Sequence, residues 1–327
     1  MKESLISLFL LILSTFTTYE ISISLHSPLF LALLMVFQVI LIIQLVLAFH
    51  DCLHLASFKS KRANALLGRL IGAFGMWPYH FLQESHLTHH RKTGLENEDT
   101  EILHFTESMA KKSWIVAILS RIARSPLAPI LFTPLIQAKF FSRWFSSHAK
   151  NWKDHHSQQK LLRYFLDSAC MVIFWYGLHL LTQQRVNFST LFFFGYLTPG
   201  VIAMGVVYLF ANPLHTQMVS VPGPDLGMKN RVFYTSRTFD SNALIRILIG
   251  NLNYHIEHHL NPTTSRWELR EISLRERSAY QEFAKRENLP YALHSSYLSW
   301  YLKIHLKAPR FNVIQNTDDW KKVNPAC

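Results

Sequence analysis

GNLNYHIEHHLNP, residues 250–262, places His255, His258 and His259 within two turns of a helix. Residues three and four apart share a helix face, so the imidazoles of this H-x-x-H-H run can converge on one point. The same arrangement recurs at His86, His89 and His90 in HLTHH, and HDCLH puts His50 and His54 one turn apart. A lone histidine is more often a satisfied core or surface residue than a ligand, and with 18 His in 327 residues one such run can arise by chance. Two of them, together with H-x-x-x-H, point instead to metal ligation.

The rest of the composition narrows the class. The 49% apolar content is gathered into long uncharged runs that alternate with stretches dense in Lys and Arg, the pattern of a chain laid through a bilayer. Cys52, Cys170 and Cys327 are far apart and show no C-x-x-C spacing, so neither a disulfide framework nor a thiolate metal site is expected. A prenylation box needs its cysteine fourth from the end, which Cys327 is not. The formal net charge of +12 comes with no nucleic-acid-binding module, and the positive-inside rule accounts for it better than a nucleic-acid partner does.

Read in order, the chain offers four spans, at about residues 4–19, 27–49, 168–184 and 188–211. The first is short and needs a thinned bilayer, and a signal peptide is rejected for want of a cleavage site followed by an exported domain. The second ends at His50, which puts the first box where the helix leaves the membrane. Pro199-Gly200 is expected to kink the fourth span. Asn64 to Leu82 and Trp114 to Phe141 are apolar enough to touch lipid. The first carries Arg69, however, and the second carries Arg121, Arg124, Pro126, Pro129 and Pro134. A charged Arg at mid-bilayer costs on the order of 2.5–3.5 kcal/mol, and prolines break a spanning helix, so both stretches read as segments in the interface. Arg266 to Asn288, with Glu268, Arg270, Glu271, Arg275, Glu276 and Arg277, reads as a water-facing helix whose charges form a solvated face.

Of the 33 Lys and Arg, 16 lie in residues 50–163 and 15 beyond residue 213, leaving only Lys2 and Arg185. Four spans therefore put both basic regions and all three boxes on the cytoplasmic side. The expected fold is an all-α membrane protein, one domain over 1–327. It has four transmembrane helices, and a cytoplasmic cap made of 50–163 and 212–327 carries the boxes.

Neutral imidazole suits iron, zinc, copper and nickel. Eight histidines with no carboxylate or thiolate among the box ligands are too many for one tetrahedral zinc, and suit two metal ions with four or five ligands each. Iron is favoured over zinc. A site at the membrane surface is placed to receive a lipid chain, and oxidising an unactivated methylene takes a redox metal and O2.

HDCLHLASFKSKRANALLGRL, HLTHHRKTGLENED and NYHIEHH, in this order and with a pair of spans before the third, resemble the integral-membrane fatty acid desaturase and hydroxylase superfamily from about Gln44 to Pro262. The resemblance implies two non-heme irons and O2 as co-substrate. The ligands it implies are His50, His54, His86, His89, His90, His255, His258 and His259. It also implies a further ligand after the last span, for which NPLHT offers His215, with Asn212 as a water-mediated partner. Ligating imidazoles need an acceptor on their second nitrogen, and Asp51, Glu84, Asp99 and Glu257 are candidates for that role or for plain charge balance. His80, His104, His148, His155, His156 and His179 have no assignment, and His179 reads as a packed or snorkelling group.

With this resemblance, the reading is an oxidoreductase that places a double bond in the acyl chain of a fatty acid or lipid. Desaturase is preferred over a lipid or carotenoid hydroxylase or ketolase because acyl-type NYHIEHH is commonest there. Electrons must be brought in, since neither His-Pro-Gly-Gly nor a Gly-rich dinucleotide fingerprint is present. An acidic carrier such as ferredoxin or cytochrome b5 would be steered to the basic face. The membrane is a bacterial inner membrane or the endoplasmic reticulum, and no KDEL signal is seen. A membrane zinc hydrolase, a histidine-relay transporter or a structural membrane protein is the remote alternative. The transporter is disfavoured because the spans hold almost no polar residues facing one another.

Overall fold

The computed structural model describes residues 2–24, 27–95, 99, 101, 107–122, 155–215, 218–219, 227–300 and 313–314, with the single positions 138, 142, 146 and 302. Helices dominate, and the strands are two-residue pairs. Thr238–Phe239 runs parallel to Leu293–His294, and Met218–Val219 parallel to Val313–Ile314. The chain divides into two compact units, Met1–Glu84 with Phe132–Val206, and Ser85–Leu131 with Val207–Cys327.

The first unit holds most of the apolar length. Leu5–Ile23, Pro28–Leu53, Gln158–Thr182 and Thr190–His215 are long and apolar enough to cross a membrane, and the last of them runs on into the second unit. Four spans were expected, and four such helices are present among the described residues. Pro28 opens the second in its first turn, where a missing N–H costs nothing. The third starts about ten residues earlier than expected, because Lys160, Arg163 and Asp167 interrupt the apolar run without ending the helix. Asp167 is buried in this helix. It accepts from Arg69 Nε at 2.8 Å and from the His80 backbone N–H at 2.7 Å, and it pairs with His80 Nδ1 at 3.1 Å. Arg69 and the formerly unassigned His80 are thus satisfied inside the protein.

The Asn64 to Leu82 stretch, expected in the interface, is formed by two helices, Lys61–Gly75 and Tyr79–Lys92. Met76, at φ 55°, ends the first of them, and the Trp77 N–H returns to the Gly72 carbonyl at 2.8 Å. Asn64 accepts from the Ser57 and Phe58 N–H groups and donates to the Phe58 and Ser60 carbonyls, closing the loop behind the first box. Removing the buried Asp167 carboxylate takes the acceptor from the half-buried Arg69 and from the His80 N–H, so Asp167→Ala is expected to cost about 1–3 kcal/mol. Thermal unfolding of the detergent-purified variant checks this.

The fourth apolar helix changes register just ahead of Pro199. Thr190–Leu197 runs as a π-helix up to Thr198–His215, and Thr198 Oγ1 donates to the Phe193 carbonyl at 2.8 Å. Pro199 has no N–H for the carbonyl four residues back and its ring crowds that group, and the wider register before it relieves both. Within this segment Gly195 lies against the first helix, where a side chain would meet the Thr18 carbonyl and Ser22 Oγ. Gly195→Leu is expected to destabilise the protein by on the order of 1–3 kcal/mol through overpacking, seen as a lower melting temperature. The expectation of almost no facing polar groups needs a correction here. Gln38 is fully buried, donates to Thr18 Oγ1 at 2.9 Å and the Ser14 carbonyl at 3.1 Å, and accepts from Ser14 Oγ at 3.2 Å. Every polar atom of this cluster is used between two helices, which is how polar groups hold membrane helices together.

In the second unit, Val232, Phe233, Ile256 and Ala284 form one core cluster, and Leu214, Phe239, Tyr297 and Trp300 another. The helix Leu269–Arg286 is more than a solvated face. Ser273 and Ala284 are buried, and Arg277 forms a two-pronged pair with Asp240 at 2.9 and 3.0 Å. Trp114–Ile122 is a helix with Trp114, Ile115 and Ile118 exposed, as an interfacial segment would be, while 123–137 and 139–141 of that stretch lie outside the described residues.

Candidate metal centre

Seven of the nine candidate ligands belong to the second unit. Tyr79–Lys92 carries His86, His89 and His90 in its last turns, and the short helix His255–Leu260 carries His255, His258 and His259. All six are buried, which the i, i+3, i+4 spacing alone does not require. The two boxes interlock. The His90 ring lies 4.1 Å from His259 and 4.8 Å from His258, and His89 lies 5.2 Å from His259, centroid to centroid. His215, the last residue of Thr198–His215, joins them at 4.5 Å from His255, 4.9 Å from His89 and 5.0 Å from His259.

Ring nitrogens gather into two groups. One set from His89, His215 and His259 lies within 4.8 Å of one another, and so does one from His86, His90 and His258. His255 Nε2 adds to the first group, 2.7 Å from His215 Nε2 and 3.1 Å from His259 Nε2. In the first unit, His50 and His54 sit at the end of Pro28–Leu53 with ring centroids 4.7 Å apart. That helix end is braced. Tyr79 OH donates to the Cys52 carbonyl at 2.9 Å, and Gln83 Nε2 donates to the Leu53 carbonyl at 3.0 Å, filling acceptors that a helix terminus leaves open.

The second nitrogens are fixed by acceptors. His89 Nδ1 lies 2.8 Å from buried Asp99, His86 Nδ1 lies 2.9 Å from Glu101, and His215 Nδ1 lies 2.8 Å from the Thr235 carbonyl. An Nδ1–H committed in this way leaves Nε2 as a lone pair. Burial opposes the charged form of His89, but the Asp99 carboxylate and its hydrogen bond outweigh burial and raise the pKa of the imidazole. Burial likewise opposes ionisation of Asp99 and Glu101, and the facing imidazoles overcome it and hold both carboxyls below their usual range. For His255 and His259, burial and the crowd of neighbouring imidazoles act together and push the pKa well down. These rings are therefore neutral, the form that ligates a metal.

Of the four carboxylates singled out in the sequence, Asp99 lies on a histidine. Glu84 instead accepts from Tyr164 OH at 2.6 Å and Lys160 Nζ at 2.7 Å. Glu257 is fully buried and accepts from Thr238 Oγ1 at 2.5 Å, Ser273 Oγ at 2.8 Å and Tyr291 OH at 3.3 Å. Asp51 is buried on the first-box helix. His179 packs against Phe188 at 5.6 Å, and His104 and His148 lie outside the described residues, as do the side chains of His155 and His156. Sequence reasoning missed Glu101, fifteen residues past His86, and the Thr235 carbonyl, which has no side-chain signature.

Three Nε2 atoms at 2.7 and 3.1 Å, with the His215 Nδ1–H donating to the Thr235 carbonyl, make a donor set that faces inward on lone pairs. Neutral imidazoles so arranged fit a borderline transition-metal ion.

The sequence model of the family described as fatty acid desaturase matches residues 25–291. The chain belongs to the fatty acid desaturase family. It is 27% identical over 232 residues to "Fatty acid desaturase" of Bacillus subtilis (strain 168), covering 69% of this chain and 62% of that protein. It is 23% identical over 272 residues to "Delta(8)-fatty-acid desaturase 2" of Arabidopsis thaliana, covering 77% and 56%. A shorter match, 34% over 93 residues, covers 28% of this chain and 26% of "sn-1 acyl-lipid omega-3 desaturase (ferredoxin)" of Nostoc sp. (strain 36). The chain thus spans about three-fifths of the length of the first two relatives.

Proposed function

We propose that the chain is an O2-dependent oxidoreductase, a membrane desaturase that introduces a double bond into the acyl chain of a fatty acid or lipid. It would do so as one desaturase-like domain with its active site on the cytoplasmic face. In this reading His89, His215, His255 and His259 hold one iron, His86, His90 and His258 contribute to the second, and His50 and His54 of the first box are iron ligands as well. The observation that carries it is the convergence of His215, His255 and His259 on their Nε2 atoms in a member of this family. When bound, such a metal pair supplies the O2-dependent redox chemistry that no side chain has.

The residues' own part is orientation. Asp99, Glu101 and the Thr235 carbonyl accept hydrogen bonds from Nδ1–H of His89, His86 and His215, which leaves Nε2 as the lone pair before any metal arrives. Burial and mutual repulsion keep His255 and His259 unprotonated, and no proton then competes for their lone pairs. Four apolar helices hold the chain in the bilayer where a lipid chain is found. Electrons come from an acidic carrier of the ferredoxin or cytochrome b5 kind. The net charge of +12 supports this, and the Nostoc relative names ferredoxin. The test is iron content after anaerobic reconstitution. About two irons per chain are expected, with Asp99→Asn weakening iron binding about 10- to 100-fold, and a wild type that retains zinc but no iron overturns the reading.

A further inference from the structure

The histidine at the end of the fourth apolar helix stands outside the boxes, and its surroundings hold one more feature. Arg237 is fully buried and is the largest such side chain among the described residues. Its guanidinium donates from Nη1 to the Pro213 carbonyl and from Nη2 to the Met218 thioether, and lies 4.2 Å above the Trp300 ring. Its backbone N–H donates to the Leu214 carbonyl at 3.1 Å. Two residues earlier, the Thr235 carbonyl accepts from His215 Nδ1. Residues 235 and 237 therefore grip 213, 214 and 215 at three points.

The grip falls where a helix most needs one. The last carbonyls of a helix have no partner within it and carry the negative end of its dipole. A permanently charged, forked guanidinium answers both needs and is pre-organised to do so. Trp300 supports its other face through a cation–π contact. On its far side, Thr238–Phe239 continues to the third box. The Phe239 N–H donates to the Asn253 carbonyl at 2.9 Å, and Asn253 Nδ2 returns to the Phe239 carbonyl at 2.6 Å.

We infer that Arg237, backed by Trp300, is a positioning residue that sets His215 for metal binding, so that one of the two metal sites depends on a side chain that touches no metal. The inference rests on the reading of His215 as a ligand. Full-length wild type, Arg237→Met, Arg237→Lys, Trp300→Leu and His215→Ala are titrated anaerobically with ferrous iron, and bound metal is measured together with melting temperature. His215→Ala and Arg237→Met are each expected to weaken one class of site by about 10- to 100-fold and spare the other. Arg237→Lys, which keeps the cation at the helix end, recovers part of the loss, and Trp300→Leu falls between wild type and Arg237→Met.

Wild-type binding in Arg237→Met, beside a loss in His215→Ala, overturns the inference, as does equal weakening of both classes. If Arg237→Met fails to fold, Arg237→Lys and Trp300→Leu decide. A selective loss in either supports the inference, and unchanged binding in both overturns it. Unchanged binding in His215→Ala defeats the ligand reading itself, an outcome separate from the others.

Discussion

His259→Ala is expected to abolish product formation and to lower the iron retained by the purified protein from about two per chain to about one or fewer. The His259 ring is buried and packs against His89, His90, His215 and His255, so its removal takes a nitrogen donor from the middle of the cluster. Elemental analysis of monodisperse protein from size-exclusion chromatography checks it. A variant with wild-type iron and wild-type product would show that this histidine only packs.

The second large effect is expected at Glu257, which touches no histidine in the observed hydrogen bonds. Its carboxylate takes the hydroxyls of Thr238, Ser273 and Tyr291, which come from a strand, a long helix and a loop, and so fastens the six-residue helix that carries the third box. A helix that short has no stability of its own and is held by its surroundings. Glu257→Ala leaves three inward hydroxyls without an acceptor, at about 1–3 kcal/mol each if they stay dry. The expected result is a loss of several kcal/mol of stability, read as a lower melting temperature, and parallel loss of both irons. Glu257→Gln, which keeps one acceptor oxygen but aims an amide donor at the same hydroxyls, should fall between. Unaltered melting and full iron content in Glu257→Ala would mean that the box is held by its apolar contacts alone.

Much of this was legible in the sequence for definite reasons. An uninterrupted apolar run such as Ser27 to Phe49 can be little but a span, and i, i+3, i+4 histidines must share a helix face. The third span's true start was hidden because Asp167 is paid for by Arg69 and His80, 98 and 87 positions away in the chain, and pattern reading sees only neighbours. Asp99 was readable as an acceptor because it follows its box closely. Glu101 was equally near but was passed over, and the Thr235 carbonyl is a backbone atom that any residue would offer. Glu257 takes neither of the two roles offered for it. Its place between His255 and His258 suggested a histidine partner, yet a residue at that position faces away from the ligand face and meets the packing neighbours instead.

The most direct measurement is mass spectrometry of total lipids from hosts expressing the wild type and His86→Ala, each supplied with a reduced ferredoxin or cytochrome b5. Acyl chains lacking two hydrogens, present with the wild type and absent with His86→Ala, are expected. Chains that gain an oxygen would make the protein a hydroxylase or ketolase, and identical lipids from two hosts holding iron-loaded protein would contradict the oxidative reading altogether.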